Sequence, residues 1–140
     1  MEMPAEIRRL VIPEGFMPGG YPVFLEEEGS GDVGWSFPIM VGPMEISALN
    51  RAIWEQQTPR PMTHDTLAAT IDSLGGSVRK LVVSDLVDHT FIGTLVIGLG
   101  GRIIEIDCRP SDGMILATMA KAPIFVEDVV LQKLADAMMQ

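Results

Sequence analysis

Val78–Cys108 reads VRKLVVSDLVDHTFIGTLVIGLGGRIIEIDC, three β-rich runs broken by two turn signals. The runs are Val78–Leu86, Thr90–Gly98 and Arg102–Cys108, with turns at Val87-Asp88-His89 and Leu99-Gly100-Gly101. Valine, isoleucine and threonine crowd each run, and their branched side chains favour a pleated backbone. Runs this close together, joined by Asp, His and Gly, predict an antiparallel meander of three strands.

Downstream, Pro110 opens a helix that stops before Pro123, and Ile124-Phe125-Val126 reads as a short strand. Glu127 to Met139 closes the chain as a helix with Val129, Val130, Leu134 and Met138 apolar. Upstream, a helix is predicted from about 64 to 74, with Thr63 as its cap and Gly75-Gly76 as its end. Before it a helix of roughly 43 to 56 carries Pro43 first, Glu45 in the first turn and an Ile46, Leu49, Ile53 face, and Thr58-Pro59-Arg60-Pro61 stops it. Residues from about 6 to 41 read as strands, at Leu10-Val11-Ile12, Pro22–Leu25 and Phe37–Val41, with Glu26-Glu27-Glu28 and Gly29-Ser30-Gly31 as a solvated turn. Strands and helices come in blocks, which predicts an α+β fold, mostly antiparallel, with three to four helices. Val41–Glu45 and Cys108–Asp112 both run from strand through Pro to an acid and into an apolar helix. They suggest a duplicated strand–helix unit, although good helix starts share those residues.

The 140 residues fit one domain, 1–140, and 47% apolar content is enough for a real core. Most of the ten methionines are expected inside it. No apolar stretch approaches the ~18 residues that cross a bilayer, and the start MEMPAEIRRL has no basic region followed by an apolar run. With a single cysteine, Cys108, there is no internal disulfide and no multi-cysteine zinc site. A cytoplasmic protein without membrane contact is expected. Its net charge is −9, and the longest basic runs are Arg8-Arg9 and Arg79-Lys80. Any binding of DNA or RNA is therefore expected to be weak and to depend on salt.

The chemistry concentrates in Glu105-Ile106-Asp107-Cys108-Arg109-Pro110-Ser111-Asp112. Strand alternation puts Ile104, Ile106 and Cys108 on one face and Glu105, Asp107 and Arg109 on the other. Asp112 falls just inside the helix start. Three carboxylates and a guanidinium thus gather at one junction. Such a set suits Mg²⁺ or Mn²⁺, with Arg109 holding phosphate oxygens in a fork. It also suits a plain brace, with Arg109 paired to an aspartate and Asp112 capping the helix. In Arg60–Asp65, His64 is a candidate proton carrier or phosphate contact oriented by Asp65, or one member of a helix-start cluster. Glu45 meets either a pocket or its own helix dipole. His89 reads as a turn residue, and Cys108 as a buried small side chain with no base beside it.

These residues resemble the bifunctional nuclease family across roughly residues 20 to 130. Phe37–Glu45 is similar to its strand, Gly and Glu, Arg60–Asp65 to its Arg-Pro-x-Thr-His block, and Glu105–Asp112 to its Asp-x-Arg-Pro-Ser-Asp signature. An Ala-rich helix and a Pro-Ile strand follow, here Ala122-Pro123-Ile124. Gly113, Cys108 and His89 depart from the family's usual Ala, Ser and Gly. The resemblance implies an α+β fold, a homodimer and cleavage of both DNA and RNA. The matched positions are Glu45, His64, Asp107, Arg109 and Asp112. In the leading reading Asp107 and Asp112 bind metal with Glu45 and Glu105, Arg109 holds phosphate and His64 moves protons. No organic cofactor is expected. The rival reading is a non-catalytic dimeric module for a metabolite or a protein partner. Convergence of Asp107, Asp112 and Glu45 or His64 on one open cleft favours the enzyme. A buried Arg109 locked to both aspartates favours the brace.

Overall fold

The computed structural model describes residues 1–139. Seven strands form one sheet: β1 (Glu2–Leu10), β2 (Tyr21–Glu27), β3 (Ser36–Val41), β4 (Gly76–Val87), β5 (Thr90–Leu99), β6 (Arg102–Cys108) and β7 (Ile124–Glu127). Four helices accompany them: α1 (Pro43–Ile53), α2 (Thr63–Ser73), α3 (Pro110–Ala120) and α4 (Asp128–Met138). The strand order is β3-β2-β1-β7-β4-β5-β6, antiparallel throughout except where β7 pairs with β4. The fold is α+β, as the blocks of strands and helices predict.

Two three-stranded meanders flank β7, and each ends in a strand that runs through a proline into a helix. The strand–helix echo in the sequence thus corresponds to a repeated meander–helix arrangement. The short Ile124 strand, unremarkable by composition, is the central seam that joins the halves. Leu81 lies opposite Ile124, and Val83 opposite Val126.

The sheet curls far enough that Phe37 of β3 stacks on Phe91 of β5, with ring centroids 5.4 Å apart. Inside that curl sits α3, whose Met114, Ile115, Leu116 and Ala117 are all buried. A helix apolar on every side belongs in a core. Gly113 allows its approach: a Cβ there would meet the fully buried Leu81. Leu81 fills the space that an alanine would take, so the departure at Gly113 is a packing exchange between helix and sheet.

Several boundaries differ from expectation. β1 begins at Glu2 and ends at Leu10, leaving Val11 and Ile12 outside and partly exposed. α1 ends at Ile53, because Glu55 turns left-handed (φ 52°) well before Pro59. Ile53, at that frayed end, is 38% exposed rather than part of a buried face. The cap of α2 is Met62, not Thr63; the Asp65 carboxylate accepts the Met62 N–H at 2.8 Å, so the acid does the capping. Six methionines are exposed, counting Met1, Met40, Met44, Met62, Met138 and Met139, so most do not pack the core. Among the described residues no helix is long and apolar enough to cross a membrane.

Candidate functional site

Three helix starts converge on one spot. α1 follows Gly42 with Pro43 first and Glu45 third; α3 follows Arg109 with Pro110 first and Asp112 third; α2 carries His64 second and Asp65 third. First-turn N–H groups have no intrahelical partner, and the aligned dipoles leave this end positive. Acids in the third position are therefore favoured three times over. Gly42 serves the same site, because any Cβ there would collide with the Glu45 carboxylate.

Asp112 is the hub. Its Oδ1 lies 2.9 Å from His64 Nε2, and its Oδ2 accepts from Arg109 Nε at 2.9 Å. Arg109 Nη2 also donates to Oδ1 at 3.2 Å, completing a fork. The remaining guanidinium nitrogen, Nη1, stands 3.7 Å from Glu45 Oε1. The side chains of His64, Glu45 and Asp112 are 16%, 17% and 23% exposed, whereas that of Arg109 is 65% exposed. Three groups are recessed and one guanidinium faces outward.

Partial burial of Asp112 favours its neutral form, but hydrogen bonds from His64 and Arg109 outweigh it and hold the carboxyl below its ordinary value. Asp112 is then a permanent acceptor near neutrality. In the neutral imidazole, Nε2–H donates to that carboxylate and Nδ1 is left as the free acceptor. This is the arrangement of an oriented general base.

The array opens on a groove of about 510 Å³, bounded by Met44, Met62, Leu67, Ile71 and Ile106. Its lining joins these apolar residues to Glu45, Arg51, His64, Arg109 and Asp112. Leu67 and Ile106 are 42% exposed, and Met44 is 70% exposed. Composition alone gave no reason to place these apolar residues on the surface. In the structure none of α2 is fully buried, which leaves Leu67 and Ile71 to line the groove.

The expected carboxylates do not all meet. β6 ends at Cys108, and Arg109 is the cap of α3, so it leaves the face it was expected to share with Glu105 and Asp107. Its guanidinium turns to Asp112 and Glu45 instead. Asp107 lies opposite Thr94 and Glu105 opposite Val96, whereas Ile106, on the groove wall, lies opposite the buried Leu95. Asp107 borders the groove without an ion-pair partner among the described residues. No three His, Cys, Asp or Glu side chains among the described residues are grouped to hold a metal. Asp65 is occupied in capping α2. Cys108 packs against both core clusters, and burial, with Asp112 and Asp107 nearby, pushes its thiol up to about 11. It is no nucleophile at neutral pH.

A family model described as the bifunctional nuclease domain matches residues 23–138. An uncharacterised protein of Mycobacterium tuberculosis is 35% identical over 114 residues, which cover 81% of this chain and 66% of that protein. Bifunctional nuclease 1 of Arabidopsis thaliana is 29% identical over 103 residues, covering 71% of this chain and 31% of that protein. Bifunctional nuclease 2 of the same plant is 28% identical over 114 residues, covering 79% and 34%. The chain thus spans just under two thirds of the mycobacterial protein and about one third of the plant ones.

Proposed function

The chain belongs to the bifunctional nuclease domain family, and from that premise we propose that it hydrolyses phosphodiester bonds in DNA and RNA at the array of Glu45, His64, Arg109 and Asp112. The observation that carries this reading is the split in exposure. A 65% exposed guanidinium stands in front of a recessed His–Asp pair at the mouth of an open groove. A purely structural ion pair gains nothing from that layout.

In this reading the outer edge of Arg109 takes a non-bridging phosphate oxygen and steadies the charge that builds on phosphorus. Asp112 fixes the ring of His64, and Nδ1 accepts the proton of the attacking water. A P–O bond forms to that water oxygen, and the opposite P–O bond breaks. The departing sugar oxygen then takes a proton from the imidazolium or from solvent, and the pair resets. Asp112 holds the fork and Glu45 the far side of the guanidinium, so the outer edge is left for the phosphate.

Metal assistance is part of the same proposal. Of the four expected carboxylates, Glu45 and Asp112 face Arg109 and Asp107 lines the same groove, whereas Glu105 does neither. Two carboxylates plus substrate phosphate oxygens are a usual setting for Mg²⁺ or Mn²⁺. A divalent ion arriving with the substrate would supply further charge neutralisation there. Cleavage of labelled single- and double-stranded DNA and RNA by purified protein, with Mg²⁺, Mn²⁺ or EDTA, tests the reading. Wild-type protein should cut, and His64→Ala should cut at least about 100-fold more slowly, since a positioned base contributes on the order of 10²–10⁴. No cutting under any condition, or equal cutting by both proteins, contradicts it.

The same proposal includes a homodimer. β6 is an edge strand, and Ile103 on it is 64% exposed. An unpaired edge with exposed isoleucine invites a second copy. Sedimentation should give the mass of two chains, and Ile103→Lys should give the mass of one; a wild-type monomer at tens of micromolar rules this out.

A further inference from the structure

Arg109 borders two cavities. One is the groove of about 510 Å³ between α2 and β6; the other, about 340 Å³, lies between β3 and the turn joining β4 to β5. They draw on different elements and share a single lining residue, Arg109. Each falls within the ~300–1,000 Å³ typical of small-molecule sites. From this we infer that the recognised unit is a dinucleotide step: the bridging phosphate sits on Arg109, one nucleoside enters each cavity, and His89 contacts the second. This rests on the phosphodiester reading of the array and adds the length and pose of the substrate.

The second cavity has a feature that folding alone disfavours. Asp88 and His89 form the two-residue loop between β4 and β5, and both are left-handed, with φ of 49° and 67°. A two-residue loop of this kind prefers glycine second, because a Cβ strains a left-handed backbone. This chain places histidine there, and His89 is among the residues that line the cavity, with Phe91, Met40 and Ser111. Backbone strain of this sort persists where a side chain is put to use. A lining that includes an imidazole, a phenylalanine and an adaptable methionine suits a flat base. The first cavity offers Met44 and Met62 in the same role.

Charge sets the length. The first cavity is lined by two cationic side chains besides His64, Arg51 and Arg109, and the second by Arg109 alone. With a net charge of −9 there is little to draw a long polyanion along the surface. A track for many phosphates needs a cation at each, and its affinity falls steeply with salt. One phosphate on one guanidinium does not.

The test is a binding series with adenosine 5′-monophosphate, the dinucleoside monophosphate ApA and a 20-nucleotide strand, by calorimetry in EDTA at several salt concentrations. Wild-type protein should bind ApA at least about tenfold more tightly than the mononucleotide. The slope of log K against log salt should lie near about −1 for every ligand, including the long strand. His89→Gly should reduce the ApA advantage severalfold while its melting temperature stays level or rises, because glycine relieves the turn. Equal affinity for ApA and the mononucleotide overturns the inference, as does a steep salt slope for the long strand or an unchanged ratio in His89→Gly. An intact ApA preference without any strand cleavage overturns the catalytic reading and leaves this one standing. Cleavage of long strands without an ApA preference does the reverse.

Discussion

Replacing Asp112 with asparagine should slow strand cleavage by about 10²–10³-fold, the range for losing a preorganised electrostatic group. Asparagine keeps the shape but loses the charge, and its amide nitrogen cannot accept from either His64 or Arg109. If the amide turns its oxygen to one partner, its nitrogen faces the other. His64 then loses the acceptor that fixes its tautomer, and Arg109 loses its fork. Stability should fall as well, by roughly 1 kcal/mol at neutral pH. Hydrogen bonds to charged groups are worth ~1.5–3 kcal/mol, discounted here because the site is partly solvated. The pH dependence has a definite sign. The Asp112 carboxyl is held below its ordinary value in the folded chain. Its contribution is therefore complete above the ordinary aspartate range, near about 4, and is lost as pH falls through the depressed folded value. Wild-type protein should lose stability on that acid limb, and Asp112→Asn should lack this part of the loss. Urea midpoints measured from pH 7 down to pH 2 read both effects.

Arg109→Lys is the second large effect expected. The change keeps one positive charge at a side chain that is 65% exposed, so the melting temperature should move little. Cleavage should nevertheless fall by about 100-fold. An ammonium is a point charge without the planar fork that holds Asp112 and Glu45 on two edges while a third faces phosphate. Because that contact forms in the bound substrate and strengthens as charge builds on phosphorus in the transition state, KM should rise and kcat should fall together. Initial rates across a range of substrate concentrations, set beside thermal melts, separate this outcome from a folding defect. A lysine variant with full activity would show that charge alone is needed and that the fork has no role.

Much of the architecture was legible because its signals are local. Branched residues between Asp-His and Gly-Gly turns specify β4, β5 and β6, and prolines at helix starts with acids two residues later specify α1 and α3. The place of β7 was not legible. Four residues carry no information about which strands they will lie between, and that choice is made by burial of Ile124 and Val126 against Leu81 and Val83. At the site, Glu45, His64, Arg109 and Asp112 were all identifiable from three separated blocks, and the fold brings them into hydrogen-bonding or ion-pair distance. Strand alternation failed at one residue. It was extended through Arg109, one position past the end of β6, and so grouped the guanidinium with Glu105 and Asp107. The exposed apolar wall of Met44, Met62 and Leu67 was hidden for another reason: periodicity marks an apolar face without saying whether protein or ligand covers it.

The central claim is that His64 and Asp112 act as one proton-handling unit on a phosphate held by Arg109. It is tested most directly by single-turnover cleavage rates of one labelled oligonucleotide for wild type, His64→Ala, Asp112→Asn and the double variant, each first verified as folded. If the two residues act as a unit, each single change should lose most of the rate, and the double variant should be no slower than the slower single by more than about threefold. Losses that multiply in the double variant, or rates that match wild type in all three variants, would contradict it.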